Sequence, residues 1–153
     1  MYLVACFLKP IGSLLWHIAP AMVIVIGGTL IIQRFHVKRA NLESIADSII
    51  KDLDLLQNDA FDYWNTPVRK RNDADLIAQR IKSTLRKISA KTYILIEKYK
   101  TGSESLEPSL LELHDKVTGG DFESQNRNPS STQYFEITNA INSTMKELLC
   151  IKI

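Results

Sequence analysis

Basic side chains between Arg69 and Lys100 are the residues best suited to bind a charged ligand, because this segment holds ten Lys or Arg residues and three acidic ones. At about 100° per residue, several of them fall on one line of a helix beside its apolar stripe. Arg80, Lys87, Lys91 and Lys98 fall on this line, with Thr84 close to it. We call the part made of Arg80, Thr84, Lys87 and Lys91 the basic row, and the preceding segment adds Arg69, Lys70 and Arg71. Lys82, Arg86 and Lys100 flank the other side of the stripe. Such a row is either a solvated helix face, a face neutralised by acids on a neighbouring helix, or a site for phosphate groups.

A second candidate for ligand binding is the short segment Thr118, Gly119, Gly120, Asp121 and Phe122. Adjacent glycines let the backbone approach a ligand closely and present consecutive N–H groups. Asp121 can accept a hydrogen bond from a ribose or an adenine amine, and Phe122 can stack on a base. The lysine of a Walker A loop is missing, and no predicted strand precedes the glycines. The alternative is a helix that ends at Gly119, followed by a turn capped by Asp121, with Phe122 in the core.

The chain lacks the residue patterns of common enzymes and metal sites. Cys6 and Cys150 stand alone near the two ends, so no pair of cysteines has the spacing of zinc ligands. The polar part of the chain has two histidines, His36 and His114, and no nucleophile elbow or HExxH motif. We therefore expect a protein that is not an enzyme and that uses neither a metal nor a cofactor.

The first 33 residues differ in composition from the rest of the chain. From Ile11 to Ile32 there are 22 residues without Asp, Glu, Lys or Arg, and eleven of them are Leu, Ile or Val. As a helix this run is roughly 33 Å long, enough to cross the hydrocarbon core of a bilayer. The sequence predicts one transmembrane helix within a membrane segment of residues 1–33. Pro10 is expected to break the helix, so that residues 1–8 lie in the interface or form the first arm of a hairpin.

The flanks of this run predict its orientation. Arg34, Lys38 and Arg39 follow the run, whereas only Lys9 and the terminal amine precede it. Basic residues accumulate on the cytoplasmic side of membrane helices. We therefore expect a single-pass protein of the cell (inner) membrane, with its N-terminus outside and residues 34–153 in the cytoplasm.

Small and polar residues share one face of the predicted membrane helix: Ser13, His17, and Gly27 or Gly28. Ionisable groups at membrane depth usually face a protein interior or water, which favours a face directed toward a helix bundle or pore. Alternatively, His17 lies near the outer headgroups and extends its side chain to them.

The apolar periodicity predicts an all-α protein with about four helices in residues 34–153 and no strand. No Gly or Pro lies between Ile32 and Asn65, so the membrane helix is expected to continue directly into the first of them. Predicted starts of the later helices are Asn72, Ser105 and about Ser131, and predicted ends are Asn65–Pro67, Gly102 and Thr118. The apolar stripes include Leu53 and Leu56, Leu85 and Ile88, Leu113 and Val117, and, in the last helix, Ile137, Ile141, Thr144, Leu148 and Leu149.

In size and in the order of its parts, the chain resembles the small membrane effectors of prokaryotic antiviral defence, in particular the cyclic-oligoadenylate-activated membrane proteins of type III CRISPR systems. Those proteins combine an N-terminal membrane helix domain with a cytoplasmic helical domain that assembles around a cyclic nucleotide. The resemblance implies binding of a cyclic oligonucleotide, with cyclic tetra-adenylate expected, assembly into a homo-oligomer, with a tetramer expected, and disruption of the membrane. The implied partners are this ligand, membrane lipid and further copies of the chain, and not DNA.

Two other classes of protein remain open. A membrane-tethered interaction protein, of the immunity or superinfection-exclusion type, would bind a protein partner through its helices without a nucleotide. A holin-like lysis protein would need little more than the membrane segment and leaves the long polar part without a role.

Overall fold

The computed structural model describes the backbone of residues 3–65, 71–99, 103–124 and 128–151, and the side chains of residues 28–65, 73–98, 104–124 and 128–151. Its helices are α1 (Leu3–Asn65), α2 (Arg71–Tyr99), α3 (Ser103–Thr118) and α4 (Ser131–Ile151). Within the described residues there is no β-strand. The prediction of an all-α protein is therefore confirmed. Contacts divide the chain into two units, Met1–Asn41 and Leu42–Ile153.

The ends of the helices follow local chemistry. α1 ends at Asn65, whose side-chain amide donates to the Phe61 carbonyl over 3.0 Å, two residues before Pro67. The Ser130 hydroxyl accepts a hydrogen bond from the Gln133 amide (3.2 Å), which makes Ser130 the N-cap of α4. Because these signals lie within a few residues of each helix end, the sequence predicted both positions correctly.

Three predicted boundaries were wrong. α1 begins at Leu3 and includes Pro10, where the sequence predicted a break. One proline removes a single donor from the helix, and the flanking hydrogen bonds remain possible. α2 begins at Arg71, so the predicted cap Asn72 lies inside the helix, and α3 begins at Ser103, two residues before its predicted cap. The predicted stop of α2 at Gly102 lies outside the described residues.

Leu42–Ile153 is organised around one hydrophobic core to which all four helices contribute. Arg80 on α2 contacts Asp59 on α1, and Lys91 contacts Asp52, so these two helices run antiparallel. α3 and α4 are also antiparallel, because Gln133 donates to the Lys116 carbonyl (2.7 Å) while the Thr144 hydroxyl lies 3.4 Å from the carbonyl of Ser109. The largest fully buried side chains are Ile49, Leu53, Leu56, Ile81, Ile88, Leu95, Leu106, Leu113, Ile137, Ile141, Leu148 and Val117.

This core matches the predicted apolar stripes with one exception. Leu149 was expected inside, but 52% of its surface is exposed. Leu148, which is fully buried, continues the series of Ile137, Ile141 and Thr144, and Leu149 is rotated about 100° away from it. An apolar residue next to a stripe therefore falls on the flank of the helix, where it does not reach the core.

The unit Met1–Asn41 is described by its backbone, which is helical from Leu3 onward, and by the side chains from Gly28. Residues 29–41 are all exposed. Among the residues that the structure describes, no helix has the length and apolar character needed to cross a membrane. Most of the predicted span, Ile11–Ile32, lies outside the residues whose side chains are described, so the transmembrane helix stays a prediction.

Candidate functional site

The basic row of α2 does not form one continuous surface. The Arg80 guanidinium lies 2.9 Å from an oxygen of Asp59 on α1. The Lys91 amine donates to the Ser48 hydroxyl (2.6 Å) and to an Asp52 oxygen (2.5 Å), also on α1. Thus both ends of the row are paired with acids of the neighbouring helix, which is the neutralised arrangement that the sequence left open.

The two middle members of the row have different environments. Thr84 is buried, with 8% of its surface exposed. Lys87 is exposed and forms no ion pair with any residue that the structure describes. The row therefore offers one unpaired cation to a ligand, Lys87, unless the ion pairs to α1 open.

The Asp59 carboxyl shows how tightly α1 and α2 are packed at this row. Burial raises the pKa of Asp59 above its ordinary value of 3.8, the positive charge of Arg80 lowers it, and the negative charge of Asp62 raises it further. Because burial is the largest of these causes, the net pKa is raised although a guanidinium lies beside the carboxylate.

The segment 118–124 forms the end of α3 and the turn after it. α3 ends at Thr118, and Gly120 adopts a left-handed conformation with φ of 61°. A Cβ atom on Gly119 would lie 2.5 Å from the Asp115 carbonyl oxygen, so a side chain at 119 would require the backbone to shift. The amide of Phe122 donates to the carbonyl of Gly119 (3.4 Å), which closes the turn. Both glycines thus have a structural role at the end of α3, and neither requires a ligand to explain it.

Asp121 and Phe122 have separate environments in this turn. The Asp121 side chain is exposed, and its carbonyl accepts a hydrogen bond from the Ser124 amide (2.9 Å). The Phe122 ring is half-buried against the core, 5.1 Å from the Tyr63 ring between centroids. Phe122 therefore packs on α1 in this structure, and stacking on a base would require it to leave that position.

Thr118 lies in a cleft that the sequence did not identify. The cleft lies between α2 and α3, has a volume of about 400 Å³, and is lined by Lys82, Leu85, Arg86, Ser89, His114 and Thr118. It contains two permanently basic side chains and no carboxylate among its lining residues. We call it the α2–α3 cleft. Lys82, Arg86 and Ser89 follow the i, i+4, i+7 spacing of one helix face, which was the available signal, but the contribution of α3 was not visible in the sequence.

A carboxylate borders this cleft. Lys82 forms an ion pair of 2.5 Å with Glu123, which belongs to the turn after α3. Glu123 has a left-handed φ of 64°, and its amide donates to the Tyr63 hydroxyl over 2.9 Å. The turn thus holds Glu123 beside Lys82.

Comparison of the chain with protein-family models, with curated proteins and with solved structures finds no match.

The other predicted site residues fall outside what the structure describes. Arg69 and Lys70 lie outside the described residues, and only the backbone of Arg71 is described, as the first residue of α2. The side chains of Ser13 and His17 are likewise outside, as is the environment of Gly27. Gly28 is described, and a Cβ atom placed there would meet nothing within 4 Å.

The described residues contain no group of three or more His, Cys, Asp or Glu side chains arranged to hold a metal ion. Cys150 is exposed and free, whereas Cys6 lies outside the described side chains. The basic groups of α2 can bind an anion through charge-assisted hydrogen bonds, and this is the chemistry that the arrangement offers.

Proposed function

We propose that this protein is a membrane-anchored effector whose helical unit Leu42–Ile153 binds an anionic ligand on the basic surface of α2 and transmits binding to the membrane. The expected ligand is a cyclic oligonucleotide, with cyclic tetra-adenylate as the first candidate. Copies of the chain assemble into a homo-oligomer, since a single membrane helix cannot form a pore alone. The protein acts through binding rather than catalysis and resides in the cell membrane, with the helical unit in the cytoplasm.

The observation that carries the membrane part of this proposal is the exposure of apolar side chains on α1. Five large apolar residues there have 56% to 71% of their surface exposed: Leu30, Ile31, Ile32, Phe35 and Val37. At about 100° per residue they are spread around the helix rather than confined to one stripe. Exposure of this much apolar surface to water is unfavourable, and lipid would cover it on all sides.

The residues that follow fit a position at the membrane surface. Arg34, Lys38 and Arg39 are exposed and lie among or just after these apolar side chains. Long basic side chains can place their apolar stems along lipid while the charged ends reach water or anionic headgroups. Their excess over the single Lys9 on the other side favours a cytoplasmic position for the helical unit.

The basic surface of α2 supports an anionic ligand. Lys87 on the basic row and Arg86 on the other side of the apolar stripe are both exposed, and neither is paired with a described acidic residue. Either could be the contact for an anion. A nucleotide with several phosphates would bring matching negative charge to this helix.

A second candidate, a membrane-tethered interaction protein without a nucleotide ligand, is favoured by two observations. Arg80 and Lys91 are already neutralised by α1. In addition, Tyr93 and Ile94 are exposed side by side on α2 and offer an apolar contact to a protein partner.

A leakage experiment distinguishes the effector from the interaction protein. The full chain is reconstituted in vesicles that contain a trapped dye, with the helical unit outside, and cyclic tetra-adenylate is added. We expect dye release with this ligand and none with linear tetra-adenylate. Absence of both binding and leakage would contradict the effector proposal and favour the interaction protein.

A further inference from the structure

The strongest unassigned feature of the molecule is the α2–α3 cleft, on the side of α2 away from the basic row. Its α2 wall is formed by Lys82, Leu85 and Arg86, with Ser89 one turn further along. Its α3 wall presents His114 and Thr118. A cleft of about 400 Å³ exceeds the size of one phosphate group and accommodates a phosphate with part of the molecule attached to it.

We propose that the α2–α3 cleft is an anion site that binds a phosphate group, with Arg86 as its principal partner. Arg86 is exposed, belongs to the cleft and has no described acidic partner, so its planar guanidinium remains available for two parallel hydrogen bonds to phosphate oxygens. Lys82 supplies a second positive charge, and Ser89 supplies a neutral donor.

The hydroxyl of Thr118 has a supporting role. It donates to the His114 carbonyl over 2.8 Å, and the Nδ1 atom of His114 lies 3.4 Å from it. Since the proton of Thr118 is used within α3, this residue shapes the wall of the cleft and helps position the imidazole.

Glu123 acts as a competing internal anion in this arrangement. Its carboxylate forms an ion pair with the Lys82 amine at 2.5 Å, and the left-handed turn holds Glu123 in this position. A phosphate that uses both cations must displace this carboxylate. Removal of the Glu123 charge should therefore strengthen phosphate binding.

The identity of the natural ligand rests on the proposed function, whereas the site itself does not. A phosphodiester of a cyclic oligonucleotide and a simple inorganic phosphate both offer Arg86 negatively charged, non-bridging oxygens that accept its hydrogen bonds. Binding of two compounds is therefore measured. Inorganic pyrophosphate tests the anion site, and cyclic tetra-adenylate tests the proposed function.

The test measures pyrophosphate binding to the full chain in detergent by calorimetry, for the wild type and for single variants. Arg86→Gln should weaken binding about tenfold or more, because a charge-assisted hydrogen bond is lost. Lys146→Gln, which removes one positive charge from an exposed position on α4, is the matched control and should change binding less than about twofold. Glu123→Gln should increase affinity. Equal unfolding temperatures of the variants establish that the fold is retained.

Three results would overturn the inference: no pyrophosphate binding by the wild type, equal losses in Arg86→Gln and Lys146→Gln, or a larger loss in Lys87→Gln than in Arg86→Gln. The last result would locate the anion on the basic row instead. If Arg86→Gln loses pyrophosphate binding but keeps cyclic tetra-adenylate binding, the anion site and the proposed function both stand, and only the binding of that ligand in the α2–α3 cleft is contradicted. Pyrophosphate binding that Arg86→Gln weakens, without cyclic tetra-adenylate binding, confirms the site and contradicts the proposed ligand.

Discussion

Lys91 illustrates how a single residue can have a structural role where the sequence predicted a binding role. From the sequence, alanine at position 91 is expected to leave the fold intact. In the structure, Lys91 bonds both Ser48 and Asp52, and the Asp52 side chain is only 14% exposed. Lys91→Ala would leave this carboxylate without its cation, and we expect a loss of about 1–3 kcal/mol in the free energy of unfolding.

Lys87→Ala is the control for this variant, because Lys87 lies on the same helix and is exposed. We expect a change within about 0.5 kcal/mol. The stability of both variants is measured by thermal unfolding of the full chain in detergent, monitored by circular dichroism. Equal stability of the two variants would show that the Lys91 contacts contribute nothing.

Asp59 provides a pH-dependent prediction at the same scale. Because burial raises its pKa above 3.8, the folded chain keeps the Asp59 proton at pH values where the unfolded chain has lost it. The contribution of this group to stability therefore falls as the pH rises from about 4 toward its folded pKa. Asp59→Asn removes this loss, so the stability of the variant relative to the wild type should increase as the pH rises above about 4.

The control is Asp54→Asn, which changes an exposed carboxylate on the same helix. Denaturant midpoints measured across this pH range give the comparison. Parallel pH profiles for the wild type and Asp59→Asn would contradict the raised pKa of Asp59.

At the scale of the element, α2 contributes both a core face and a free face. Ile88 is fully buried, whereas Ile94 on the same helix is 45% exposed. Ile88→Ala should lower the free energy of unfolding by about 2–5 kcal/mol, because it removes buried methyl groups and leaves a cavity. Ile94→Ala, the same chemical change outside the core, should cost less than about 1 kcal/mol. Unfolding temperatures check both values, and similar losses would contradict the orientation of α2.

At the scale of the whole molecule, the proposed function requires that ligand binding reaches the membrane segment. Residues 32–65 are helical throughout α1, and this stretch contains no Gly or Pro. A flexible Gly-Ser insertion after Arg39 should therefore preserve ligand binding and membrane insertion but abolish ligand-dependent dye release from vesicles. An alanine-rich insertion of equal length, which retains helical structure, is the control.

Full activity of the chain with the flexible insertion would show that the N-terminal segment serves only as a tether. Loss of activity with both insertions would instead indicate that the distance or rotation between the segments matters, and binding measurements on each variant would establish that the ligand site is intact.

The sequence by itself determined the class of fold and most of the core. The period of 3.6 residues predicted the stripes that contain Leu53, Ile88 and Leu148. Asn65–Pro67 marked the end of α1, and the start of α4 was predicted at about Ser131. These features are readable because helix periodicity and capping depend on residues that are close along the chain.

Only the tertiary structure decided which cations are neutralised and which are available. Arg80 and Lys91 face acids about 20 to 40 residues away on α1, whereas Arg86 borders a cleft with His114 of α3. From the sequence, Phe122 could stack on a base, whereas in the structure its ring packs against the ring of Tyr63. Such assignments depend on which helix faces meet, and that is set by the packing of all the stripes together rather than by any one of them.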